Sequence, residues 1–155
     1  MSQKNCYKIQ IVGGRHDLER TLDLIHFVIS HHGAEESESD VIAMAVGEAC
    51  HNAIHHSDQE PDEVVFNLTL ELDSDVCTAA VINQGEEFNM IDVGPFKQDQ
   101  DFSVYSQGGL GVAMMKKLMD EVTCERQGNR INFVTLKKRI TTKSTTNKGE
   151  ATDEN

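Results

Sequence analysis

Basic residues are scarce in this chain. Fourteen Lys and Arg stand against 26 Asp and Glu, a formal net charge of −12 at pH 7. That balance argues against sequence-independent nucleic-acid binding, which needs Lys and Arg to neutralise phosphates. It argues equally against an anionic membrane surface, while a basic protein partner is compatible with it. Apolar runs are short. None is long enough to span a bilayer, and the opening MSQKNCYKIQ holds no signal-peptide core. Cysteine is sparse and scattered: Cys6, Cys50, Cys77 and Cys124 form no C-x-x-C pair, so neither a zinc site nor a dithiol redox motif is signalled. The expectation is a reduced, cytoplasmic protein with no nucleic acid and no membrane among its partners.

What is present fits one ordinary domain. A chain of 155 residues can bury a sizeable core without disulfide staples. Hydrophobic content of 38% and charged content of 26% are those of a globular protein rather than a disordered one. Cys50 and Cys77 sit in apolar runs and read as buried thiols.

Tyr7 to Val12 alternates and reads as a strand ended by Gly13 and Gly14. From Asp17 to His31, Leu18, Leu22, Ile25, Val28 and Ile29 recur at helical spacing, with Gly33 as C-cap. His31 and His32 near that C-terminus suit the helix dipole. Asp40 is a good N-cap for a second helix, Val41 to about His56. Val64, Phe66, Leu68, Leu70 and Leu72 then alternate along one strand face. Val76 to Asn83 is a more apolar and so more central strand, paired with the first as a hairpin around Asp73 to Asp75. Gln84 to Gln107 has no clear period. A third helix opens at Gly108 and runs to about Met119, with Met114, Met115 and Met119 as core packing. Glu121 to Arg126 and Ile131 to Lys138 form a last strand pair. Thr141 to Asn155 is polar and reads as a mobile tail. The order suits an α+β fold: a mostly antiparallel, mixed sheet with helices on one face.

Three segments carry chemistry. In AVGEACHNAIHHS, Glu48 and Asn52 lie one turn apart on one helix face, at the rim of the core. A carboxylate and a carboxamide there are hard oxygen ligands for Mg²⁺, and Glu48 can take a proton from a hydroxyl. A solvated polar stripe has the same spacing. In QGGLGVAMMKKLMDEV, Gly108, Gly109 and Gly111 precede a helix, whose free N–H groups and dipole attract phosphate. An ordinary glycine-rich helix start looks no different. The P-loop pattern is absent, and Met114 breaks a dinucleotide fingerprint. In VINQGEEFN a strand ends at Asn83 and Gly85 makes a turn, where a polar side chain can face a heterocycle. His51 and His55 are spaced i, i+4, but no H-E-x-x-H and no third ligand accompany them.

In this order, the three segments resemble the GHKL superfamily of histidine-kinase-like ATPase domains, and more narrowly the anti-sigma factor serine kinases. The resemblance covers about residues 7 to 139, and is most specific in GEACHNAIHHS and GGLGVAMMKKLMDEV. It implies a two-layer α/β sandwich over 1–140, the tail 141–155 being outside it, with ATP between the helices and a mobile lid. By the same resemblance Glu48 is the general base and Asn52 holds Mg²⁺. Gly85 lies near adenine, while Gly109 and Gly111, with Gly108 and Leu110 beside them, bind the phosphates. The lid falls at Glu86 to Gln107. The implied function is an ATP-dependent protein-serine kinase that sequesters a sigma factor and phosphorylates an anti-anti-sigma (STAS-type) partner. Dimerisation is implied with it. A catalytically weak nucleotide-binding module, regulating a partner by sequestration alone, is the alternative. Two positions depart from the family pattern. Asn83 stands where Asp usually accepts a bond from the adenine amino group, and an amide lacks charge assistance. Glu87 replaces a glycine, which implies strain at positive φ and a negative charge near phosphates.

Overall fold

The alternation of Val64 to Leu72 is realised as a half-buried strand. Phe66, Leu68, Leu70 and Leu72 are all buried, with Asn67, Thr69 and Glu71 on the opposite face. The computed structural model describes residues 4–87, 93–106 and 108–142. Five strands form one sheet: β1 (Asn5–Ile11), β2 (Phe66–Leu72), β3 (Val76–Gln84), β4 (Glu121–Gln127) and β5 (Ile131–Arg139), in the order β1-β2-β3-β5-β4. β3 is the central strand, as its apolar composition predicts. All four pairings are antiparallel. The mixed sheet expected from the sequence is therefore corrected. Short turns after β2 and β4 force antiparallel neighbours, and among the described residues no crossover returns a strand in the parallel sense.

Three helices pack on the sheet: α1 (Arg15–His32), α2 (Glu36–His55) and α3 (Leu110–Leu118). One continuous core joins the layers. Ile25, Ile29, Ile42, Val46, Ala49, Cys50 and Met115 from the helices meet Leu68, Leu70, Cys77, Ala79, Val81, Val134 and Leu136 from the strands. Met119 is buried as expected, whereas Met114 is only half-buried. No helix among the described residues is long and apolar enough to cross a membrane.

α1 ends as predicted, on Gly33 at φ 110°, whose N–H reaches the Ile29 and Ser30 carbonyls. α2 does not start where predicted. It begins a turn earlier, so Asp40 is inside it and not its N-cap. The reason is tertiary: Glu35 N–H donates to the Thr141 carbonyl, and Thr141 N–H donates to Glu38 Oε2. Asp40 instead meets His26 of α1 at 2.6 Å. Thr142 bridges to Ala34, so the chain after β5 is tied to the start of α2. The remainder of the expected tail, 143–155, lies outside the described residues. So do residues 88–92 and 107 of the expected lid. The part from 93 to 106 is not wholly irregular, since Phe102–Tyr105 form one 3-10 turn.

Candidate functional site

The site is built on the close approach of α2 to two neighbours. The first is α3. A Cβ placed on Gly111 would stand 2.6 Å from Glu48 Oε2, well inside van der Waals contact. Only glycine lets the first turn of α3 lie against that carboxylate. Glu48 is half-buried there, at the rim that its spacing predicts. Gly111 does not have positive φ, so the expected conformational role belongs to its neighbours. Gly108 (φ 100°) and Gly109 (φ 94°) make the turn, and Gly109 caps α3. Leu110 is the first helical residue, not Gly108. The N–H groups of the first turn of a helix lack intrahelical acceptors, so this turn offers donors and a positive dipole end to an anion.

The second approach is that of β3 to the end of α2. Gly85 is buried and has no positive φ, so it is not the turn glycine that the sequence suggests. Its N–H donates to the Arg130 carbonyl, and Glu86 N–H donates to the His56 carbonyl. A Cβ at Gly85 would overlap the His56 carbonyl, so the strand end fits against α2 only without a side chain. Two residues before, Asn83 is 3% exposed. Its Nδ2 donates to the Ala53 carbonyl in the last turn of α2 at 3.3 Å. Its Oδ1 is buried with no hydrogen-bond partner among the described residues. A buried acceptor left unpaired costs about 1–3 kcal/mol, so it is the kind of atom a ligand donor completes.

Asn132 was missed in the sequence. It pairs in register with Asn83 across β3 and β5, is fully buried, and donates from Nδ2 to the Glu86 carbonyl at 2.9 Å. Arg126 donates to its Oδ1 at 2.9 Å. The signal was legible: Asn132 is a polar residue at a buried position on the face of β5 that carries Val134 and Leu136. Glu87 is exposed, and no described residue other than glycine has positive φ, so the expected strain at Glu87 is absent. Its carboxylate helps to raise the Cys124 thiol, an effect led by burial. His56 is pulled below its ordinary pKa by burial first and by His55 second, with Glu86 opposing.

Not all the predicted residues share one cleft. Gly108 and Gly109 line a cleft of about 390 Å³ with Lys97, Gln100 and Tyr105. Asn52, half-buried one turn after Glu48, lines a different cleft of about 530 Å³ with Arg15, His51 and His55. The geometry therefore joins Glu48 to the glycine turn, and places Asn83 and Gly85 against the end of α2.

Comparison with known proteins agrees with this architecture. The sequence profile of the histidine kinase-like ATPase domain family matches residues 15–138. Relatives include the serine-protein kinase RsbW of Staphylococcus aureus strains MRSA252 and Newman. Each is 28% identical over 128 residues, covering 79% of this chain and 79% of the relative. Among solved structures, the SiaB–SiaC complex from Pseudomonas aeruginosa contains a chain that superposes with a TM-score of 0.58. It has 13% identity and covers 88% of this chain and 89% of that one, a likeness of fold.

Proposed function

The chain belongs to the histidine kinase-like ATPase domain family, and from that premise we propose that it is an ATP-dependent protein-serine kinase acting on an anti-anti-sigma partner of STAS type while also sequestering a sigma factor. The family membership rests on the match over residues 15–138. The choice of serine as acceptor draws on the RsbW relatives, which are named serine-protein kinases.

The observation that carries the ATP reading is the buried, unpartnered Oδ1 of Asn83. Nδ2 is committed to the Ala53 carbonyl, which can only accept, so the amide orientation is set by its neighbour. Oδ1 is thus an acceptor suited to the exocyclic amino group of adenine. The departure from Asp keeps that acceptor. At the other end, the positive-φ pair Gly108 and Gly109 and the start of α3 suit phosphates. These features fit a nucleotide, with Asn52 the residue that would hold Mg²⁺ and Gly85 and Leu110 its remaining contacts.

Bound ATP supplies an activated phosphoryl group. Glu48 would take the proton of the partner's serine hydroxyl, and Gly111 keeps that carboxylate beside the glycine turn. A cytoplasmic location follows from the proposed partners.

The test is transfer of labelled γ-phosphate from Mg-ATP to purified STAS-domain proteins of the source organism. Wild type is expected to label a serine, and Glu48→Gln to bind ATP yet transfer about 10²–10⁴-fold more slowly. ATP bound by the wild type without transfer to any of them would reject the kinase reading and leave sequestration alone.

A further inference from the structure

We propose that Lys97 is the cation that grips the nucleotide's polyphosphate from the lid side. The inference rests on the ATP reading above and extends it to a residue outside the three segments that carry the family resemblance.

The lid segment from 93 to 106 is not loosely placed. Phe96 N–H donates to the Ala113 carbonyl of α3 at 3.0 Å. Lys116 Nζ donates to the Val93 carbonyl, and Lys117 Nζ lies 5.0 Å from the centre of the Phe96 ring. The Phe96 ring also lies tilted against Phe102 and stacks on Tyr105, at 5.7 and 6.2 Å between ring centres. Lys97 follows directly on this anchor, and its carbonyl accepts from Gln100 N–H in a turn. The segment is thus clamped to the helix whose N-terminus the glycine turn precedes.

Three lysines surround this clamp, and two are used in making it. Lys116 holds Val93 and Lys117 covers Phe96. Lys97 instead lines the cleft of about 390 Å³ whose wall includes Gly108 and Gly109. Among the described residues it has no ion-pair partner, and it is the one charged side chain lining that cleft. Gln100 and Tyr105, the other polar side chains there, bond to each other at 2.8 Å. A chain of net charge −12 repels a polyphosphate at long range. A local cation beside the glycine N–H groups answers that repulsion, because close pairs are screened far less than distant ones. An ammonium on a flexible stem suits a point-charge contact to phosphate oxygens.

Calorimetry on the full chain tests the assignment with Mg-ATP and with adenosine, for wild type, Lys97→Gln and Lys97→Arg. Lys97→Gln is expected to weaken Mg-ATP about tenfold and to leave adenosine unchanged, the size of one charge-assisted bond. Lys97→Arg is expected to stay within about threefold of wild type, since it keeps the charge. The wild-type affinity for Mg-ATP is expected to fall more steeply with salt than that of Lys97→Gln. An unchanged Mg-ATP affinity in Lys97→Gln, or an equal loss for adenosine, would overturn the role of Lys97 and leave the ATP site standing. A wild type that binds neither ligand would overturn both.

Discussion

The side chain of Asn83 caps the end of α2: its Nδ2 donates to the carbonyl of Ala53 at 3.3 Å. That carbonyl is in the last turn of the helix, where no amide one turn on is free to reach it. Ser57 N–H goes to Ile54 and His56 N–H to Asn52. The negative end of the helix dipole points the same way. A carboxylate in this place would face a carbonyl oxygen, so the family's usual Asp is locally unfavourable here. Asn satisfies the helix with one end of its amide and keeps an acceptor at the other.

Restoring the family residue should therefore harm this chain. Asn83→Asp is expected to cost about 1–3 kcal/mol in urea unfolding, because the Ala53 carbonyl loses its donor. The sign of the pH effect follows. Burial beside a carbonyl raises the folded-state pKa of the new carboxyl, so it contributes stability while protonated and loses it as pH rises. The deficit should be larger at alkaline than at acidic pH. A variant as stable as wild type at every pH would show that the Asn83–Ala53 bond does not matter.

Gly111→Ala separates folding from chemistry. Alanine favours a helix interior over glycine by about 1 kcal/mol, and α3 is short. Yet the added Cβ would stand 2.6 Å from Glu48 Oε2, so the carboxylate must swing aside. Thermal stability should change little while phosphotransfer falls at least about tenfold, since misplaced catalytic groups are costly. Retained transfer would mean that the position of Glu48 is not critical.

The cysteines give a check on the core. Burial pushes Cys50 and Cys77 up to about 12. About one thiol in 10⁵ is then ionised at neutral pH, and the thiolate is the reactive form. Cys6 is exposed. In the native protein a thiol reagent should label Cys6 first, Cys124 slowly, and Cys50 and Cys77 only on denaturation, as peptide mapping would reveal. Fast labelling of Cys50 would contradict the packing of α2 on the sheet.

Much of the fold was legible because it is periodic. The alternation from Val64 to Leu72 and the spacing from Leu18 to Ile29 map directly onto β2 and α1. The start of α2 was not, because Glu35 and Glu38 are bound by Thr141, a residue more than a hundred positions away. The site divides likewise. Glu48 beside the glycine turn is what the family resemblance of the two segments implies. Why Gly85 and Gly111 must be glycine does not, since both answer to a neighbouring element rather than to their own φ. The orientation of the Asn83 amide was hidden for the same reason: its determinant is a backbone carbonyl 30 residues upstream.

The most direct measurement is a calorimetric titration of the wild-type chain with Mg-ATP and with Mg-GTP. With Oδ1 of Asn83 fixed as an acceptor, a purine with an amino group at position 6 should be completed there, and one with a carbonyl at that position should be repelled. The account predicts stoichiometric binding of Mg-ATP and about 10–100-fold weaker binding of Mg-GTP, the range of one buried hydrogen bond gained or left unpaired. Equal affinities, or no binding of Mg-ATP, would contradict it.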